Sequence, residues 1–210
     1  MAISAQEAFR RLKDGNDRFA AGVPSTHSSA SHLRRIALTQ HQEPFAIILG
    51  CSDSRVPAEF VFDQGLGDLF VIRVAGNIVA PSQVGSVEFA VERFGTSLVV
   101  VLGHSSCGAI LATLEQLFQP TEQRSPHLRS IVDRVRPSVA PLLATELRHD
   151  HDALVCHAVR ANVRLSANHL RHGSSILETY IQARKLLVVG AEYSLDTGRV
   201  DFFDGIEWVA

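Results

Sequence analysis

Apolar residues in this chain fall into two arrangements, short unbroken runs and stripes at helical spacing. The runs are Phe45-Ala-Ile-Ile-Leu-Gly50, the apolar middle of Asp68–Arg73, Leu98 to Leu102, and Leu186-Leu-Val-Val-Gly190. Each has the length of a strand, and a strand that is apolar at successive positions is one covered on both faces. A further segment, Arg199 to Phe203, follows the Asp196-Thr-Gly198 turn and reads as an antiparallel edge strand.

Between the runs the period changes to that of a helix. Ser82 to Phe94 places Val84, Val87, Ala90, Val91 and Phe94 at steps of three and four, and Gly95 stops it. Phe60 to Leu66 predicts a short helix or turn, and Cys107-Gly108 opens a helix through about Leu117. Residues 126–147 read as helical with interruptions at Pro137 and Pro141, because proline lacks the N–H that a helix interior needs. Asp150 to about Arg171 and Ser175 to Ala183 complete the helices, with Gly22–Ser31 and Gln119–Ser125 as loops.

At the N-terminus, Ser4 followed by Glu7 is a capping box, and Phe9, Leu12, Asn16 and Phe19 carry a helix to about Ala20. That stripe is narrow and contains a polar Asn. It suits an arm lying across a partner subunit or the main body, with a short helix around His32–Thr39 after it. Strands alternating with helices give an α/β fold: a mainly parallel central sheet flanked by helices, an antiparallel C-terminal edge strand and an N-terminal helical arm. We expect a single domain over residues 1–210, with 1–40 packing on a partner subunit.

Composition narrows the function classes. A length of 210 residues suffices for one full core. The formal net charge of −2 gives no reason to expect a nucleic-acid partner. No apolar segment approaches the roughly 20 residues of a membrane span, and no signal-peptide apolar region is visible, so neither membrane nor export is expected. Three cysteines argue against a disulfide framework. A reducing cytoplasm fits and would keep thiols available.

Two of those thiols sit where strands end. Cys51-Ser-Asp53-Ser-Arg55 follows the first apolar run, and His104-Ser-Ser-Cys107 follows the third, with 52 residues between Cys51 and His104. Neighbouring parallel strands emptying into one site would gather Cys51, His104 and Cys107 there. Two thiolates and one imidazole suit Zn²⁺, and three protein ligands leave the open position of a catalytic site. Cys107 also sits at a predicted helix N-terminus, where the dipole favours a thiolate. Asp53 and Arg55 are candidates for the surrounding shell: Arg55 can fork onto the Asp53 carboxylate, holding it off the metal while a lone pair accepts a proton from bound water.

The order and spacing of these motifs resemble the β-class carbonic anhydrases. The resemblance runs from about Ala5 to Phe203 and includes Gly15-Asn-Asp-Arg-Phe19, Arg73-Val-Ala-Gly-Asn77 and Gly190-Ala-x-Tyr193. It implies one zinc per subunit, a homodimer or homotetramer, and reversible hydration of CO₂ to bicarbonate by attack of zinc hydroxide on CO₂. Zinc lowers the pKa of bound water to about 7 in favourable sites; two thiolates oppose this, so the shell around them must compensate. The resemblance also implies that Asp53 can swing in as a fourth ligand in a closed state. Gln42, in Gln-Glu-Pro44, matches an amide donor toward CO₂ or bicarbonate, and Gly108 offers a backbone N–H in the same pocket. Phe70, Ala75 and Phe89 match positions lining an apolar CO₂ pocket, Phe89 standing where a tyrosine is often found.

Other features carry less. His149, His151 and His157 do not share a helical face, so they read as a solvated surface rather than a second metal site. Cys156 reads as a core thiol, and His27 and His32 as possible proton carriers. Two alternatives to carbonic anhydrase share the scaffold. One is a carbon disulfide hydrolase, the other a non-catalytic zinc-binding regulatory domain, against which Asp53 and Arg55 argue.

Overall fold

The computed structural model of the protein describes residues 3–25, 32–119 and 125–207. His27 and the middle of the Gln119–Ser125 loop lie outside the described residues. In chain order the elements are α1 (Ala5–Ala20), α2 (His32–Ala37), β1 (Ala46–Gly50), α3 (Ala58–Val61), β2 (Leu69–Arg73), α4 (Pro81–Phe94), β3 (Leu98–His104) and α5 (Gly108–Phe118). Then follow α6 (Pro126–Val139), α7 (His151–His172), α8 (Ser175–Gln182), β4 (Leu187–Tyr193) and β5 (Val200–Asp204), with short 3₁₀ turns at Ala75–Asn77, Ala140–Ala144 and Glu146–His149.

The five strands form one sheet in the order β2-β1-β3-β4-β5. The first four are parallel, and β5 pairs antiparallel with β4 at the edge. The unbroken apolar runs have the expected cause. Along β1, Ala46 and Ile48 point into the core shared with α1 and α3, while Ile47 and Leu49 point into the core under α4, α7 and α8. β3 repeats the split, with Leu98, Val100 and Leu102 on one face and Val99 and Val101 on the other. Side chains alternate faces along a strand, so covering both faces demands apolar residues at every position. Each such fully buried Ile, Leu or Val contributes about 1.5–3 kcal/mol.

Helix α7 sits close on the sheet because glycines receive it. A Cβ on Gly103 would come within 2.6 Å of Val163 Cγ2, and one on Gly190 within 2.8 Å of Val163 Cγ1. Both distances are far inside van der Waals contact, so Val163 occupies a notch that only glycine leaves open.

The arm behaves in two ways. Ser4 caps α1 by accepting from the Glu7 N–H at 3.2 Å. The inner stripe of α1 then packs on its own chain: Ala8, Leu12, Gly15 and Asn16 are buried, and the Phe9 ring meets Phe202 edge-on at 4.7 Å. Asn16 explains the polar position in that stripe. Its Nδ2 donates to the carbonyls of Val61 and Gly198, and its Oδ1 accepts from the Val200 N–H, tying α1 to α3 and β5. α2 buries nothing, leaving Leu33 79% and Ile36 52% exposed.

Two expectations need correction. Pro137 does not interrupt α6; it lies in the last turn, and the α-helix gives way to a 3₁₀ turn at Ala140, just before Pro141. Cys156 is exposed rather than a core thiol. The buried face of α7 runs through Leu154, Ala158, Val159, Asn162, Val163 and Ser166, and Cys156 lies two residues, about 200°, round from Leu154.

Candidate metal centre

The site forms where β1 and β3 end side by side. Their register pairs Gly50 with Leu102, so Cys51 and His104 emerge from adjacent strands at the same edge of the sheet. Ser105 then turns the chain, its N–H bonding the Tyr193 carbonyl at 3.0 Å and its Oγ accepting from the Leu195 N–H at 2.9 Å. Ser106 takes a left-handed φ of 54°, which delivers Cys107 to the N-terminus of α5.

Cys51, His104 and Cys107 converge as the spacing predicted. Their ligand atoms lie within 4.8 Å of one another, and the two Sγ atoms are 4.0 Å apart. All three are buried, at 5%, 0% and 1% exposure. His104 Nδ1 lies 2.9 Å from the Ser105 carbonyl oxygen, an acceptor, so Nδ1 carries the proton and Nε2 presents a lone pair. That Nε2 is buried and has no hydrogen-bond partner. A desolvated lone pair beside two sulfurs costs free energy unless something binds it. The donor set and the orphaned nitrogen together fit a zinc ion.

The two buried sulfurs, 4.0 Å apart, shift each other in opposite directions. Cys51 is lowered, chiefly through its contact with Cys107 and less through the neighbouring His104 and the Gly76 N–H. Cys107 is pushed up by its bond to the neighbouring Cys51 thiolate and by burial. Burial opposes charge on His104, but the neighbouring Cys51 thiolate and the Ser105 carbonyl outweigh it, and its pKa is raised.

Around this cluster, Asp53 and Arg55 form the fork that the sequence suggested. Arg55 Nε donates to Asp53 Oδ1 at 2.9 Å, Nη2 to Oδ2 at 2.8 Å, and the Arg55 backbone N–H to Oδ1 at 3.0 Å. The Arg55 bonds hold the Asp53 carboxyl well below the usual carboxylate range. Asp53 is thus turned toward Arg55, and its carboxylate is not part of the three-residue ligand group. With Arg55 54% exposed the pair adds little stability, so its consequence is orientation.

Four contributors were not legible as such in the sequence. Arg73, at the end of β2, donates to the backbone carbonyls of Cys51 at 2.9 Å and Asp53 at 2.6 Å, bracing the whole Cys51–Asp53 turn. An arginine closing a buried apolar run was the available signal. Gly76 donates its N–H to Cys51 Sγ at 3.4 Å. Behind it, Asn162 and Ser166 of α7 hold the Ala75–Asn77 turn, and polar residues on an apolar helical face marked them.

The expected substrate residues divide. Ala75 and Gly108 adjoin the cluster, next to Gly76 and Cys107 in the chain. Gln42, Phe70 and Phe89 are not brought to it within one chain. Gln42 precedes β1, whose five residues put about 16 Å between its two ends, and it lines a cavity of about 420 Å³ with His41, Arg93 and Phe94. Phe70 pairs with Ile47 near the start of the strands and packs on Phe89, ring centroids 6.2 Å apart. Phe89 is itself 54% exposed. Nearness to a motif in sequence said nothing about which end of the strand a residue occupies.

His149, His151 and His157 are all exposed, as is His32 in α2. Among the described residues, Cys51, His104 and Cys107 are the group of metal-competent side chains close enough to share an ion. No helix among the described residues is long and apolar enough to cross a membrane.

Comparison with known proteins agrees with this geometry. A profile of the carbonic anhydrase family matches residues 46–200. The chain is 42% identical to carbonic anhydrase 2 of Mycobacterium tuberculosis over 199 residues, 95% of this chain and 93% of that protein. Among solved structures, the β-carbonic anhydrase CafA of Aspergillus fumigatus superposes with a TM-score of 0.74 at 26% identity, covering 95% of this chain and 92% of that one. One of two tetrameric β-carbonic anhydrases from Sordaria macrospora gives 0.72 at 25% identity, over 94% and 97% of the two chains.

Proposed function

Because the chain belongs to the β-carbonic anhydrase family, we propose that it interconverts CO₂ and bicarbonate at one zinc ion held by Cys51, His104 and Cys107. The observation that carries the ligand set is the buried, partnerless Nε2 of His104 beside two sulfurs. Zinc bound there supplies a Lewis acid that activates water toward CO₂ at moderate pH.

The chain's own residues do the rest. Arg55 engages both oxygens of the Asp53 carboxylate, and Oδ1 takes a second bond from the Arg55 backbone N–H; Oδ2, with one donor, keeps a spare lone pair and lies on the His104 side. That oxygen accepts a hydrogen bond from the attacking water and orients its remaining lone pair toward CO₂. Arg73 keeps Cys51 and Asp53 in fixed relation through their carbonyls. Ala75 lines the approach, and the Gly108 N–H, at the start of α5, suits a bicarbonate oxygen. The reaction balances as CO₂ plus water giving bicarbonate and a proton, which leaves to buffer. Rotation of Asp53 away from Arg55 would make it a fourth ligand and close the site.

Gln42, Phe70 and Phe89 can serve substrate only from a second copy, which supports a homodimer or homotetramer. The tetrameric Sordaria relative and the uncovered α2 favour the same reading. Two cysteine ligands require a reducing compartment, so we place the enzyme in the cytoplasm.

The test is a CO₂ hydration assay beside a CS₂ hydrolysis assay, with zinc measured in the same preparation. Hydration of CO₂ at one zinc per chain, lost together with the metal in Cys107→Ser, is the expected result. Hydrolysis of CS₂ without CO₂ hydration, or a full zinc complement in Cys107→Ser, would overturn the assignment.

A further inference from the structure

The turn behind Cys51 is held in an unusual conformation. Gly76 has φ of 70° and the next residue, Asn77, φ of 42°, so two successive residues are left-handed. Glycine takes this without cost and asparagine at a modest one; the pair persists only where the surroundings determine it. Helix α7 supplies that determination. Asn162 Nδ2 donates to the Gly76 carbonyl at 2.8 Å, and Ser166 Oγ donates to the Asn77 carbonyl at 2.9 Å. Spaced four apart, the two side chains stack on one face of α7 and grip consecutive carbonyls. The opposite side of the turn carries the Gly76 N–H, which points at Cys51 Sγ.

The grip comes at a cost to the fold. Asn162 is buried and its Oδ1 has no hydrogen-bond partner. An apolar side chain of the same size would avoid that unsatisfied acceptor. What asparagine adds is a donor that reaches the Gly76 carbonyl.

We infer that Asn162, seconded by Ser166, is a positioning residue for the metal centre: it keeps the Gly76 N–H on the Cys51 sulfur, where the hydrogen bond withdraws charge from the thiolate. A thiolate that donates less leaves its metal more electrophilic, and groups one step behind the ligands set metal affinity in this way. The inference rests on the ligand set proposed above and extends it to a helix that touches no ligand through these two side chains.

The experiment replaces zinc by cobalt(II) in the intact protein and records the thiolate-to-cobalt charge-transfer band. Without the Gly76 bond the sulfur is more electron-rich, and the transition costs less energy. The band should therefore move to longer wavelength in Asn162→Leu and, by a smaller amount, in Ser166→Ala. Leu170→Ala, on the same helix but away from the turn, is the structural control: it should lower the melting temperature and leave the band in place. An unmoved band in Asn162→Leu and Ser166→Ala, with cobalt bound, overturns the inference alone. Should Asn162→Leu fail to fold, the band of Ser166→Ala decides. A parent protein that binds cobalt with no charge-transfer band overturns the ligand set, and this inference with it.

Discussion

Oδ2 of Asp53 lies 3.8 Å from Nε2 of His104 while it accepts a 2.8 Å hydrogen bond from Arg55 Nη2. One carboxylate oxygen therefore stands between its guanidinium partner and the ligand cluster, and the fork decides which it serves. Arg55→Ala removes that decision. CO₂ hydration should fall by about tenfold or more in kcat/KM, the scale on which outer partners of metal ligands act. The double variant Asp53→Ala/Arg55→Ala should be no worse than Asp53→Ala, because Arg55 acts through the carboxylate. Additive losses in that cycle would show that Arg55 has a separate role.

The same fork fixes a pH signature. Asp53's carboxyl titrates below its unfolded value, which is about 3.9. Its stabilising contribution is thus fully present above about pH 4 and is lost as pH falls through the lower folded value. Urea denaturation should show the parent losing more stability between pH 6 and pH 3 than Asp53→Asn, with the difference shrinking in high salt. Between pH 6.5 and 9 Asp53 stays ionised, so any rise of activity across that window should survive in Asp53→Asn at a lower plateau. A profile flattened by that substitution would place the titration on Asp53 and contradict the geometry.

Asn16 makes a prediction about folding. Its side chain satisfies two carbonyls and one N–H from two segments, α3 and the entry to β5, in a buried setting. Asn16→Leu should cost about 3 kcal/mol, at the upper end for stranding buried polar groups, read by denaturant melts. A loss below 1 kcal/mol, on the same scale, would mean that water takes over these bonds.

Assembly can be probed apart from folding. Leu33 and Ile36 project from α2 into solvent in the single chain. Leu33→Lys with Ile36→Lys should weaken the homodimer in sedimentation and reduce CO₂ hydration, while the melting temperature of the dissociated chain stays unchanged. An intact oligomer in that double variant would remove α2 from the interface.

Much of this was legible because two physical rules act locally. Strands covered on both faces must be apolar throughout, which made β1, β2, β3 and β4 visible as runs. A metal needs few ligand types at short spacing, which made Cys51, His104 and Cys107 visible as a set. The failures share the opposite property. Asn162 contacts the Gly76 turn from 86 residues away, a separation no local period reveals. Cys156 went astray because its type suggests burial while its helical phase points outward.

The notch made by Gly103 and Gly190 has a consequence for how this sequence can change. One valine, Val163, fills the space above both glycines, so the three positions cannot vary independently. A saturation library should show 103 and 190 as intolerant columns, although position 190 bears no reactive group. The tolerance should be recoverable: Gly190→Ala, harmful alone, should be rescued in part by Val163→Ala, which opens the same space. Drift at this spot is thus confined to paired steps, and the depth at which the helix rests on the sheet is inherited as a unit.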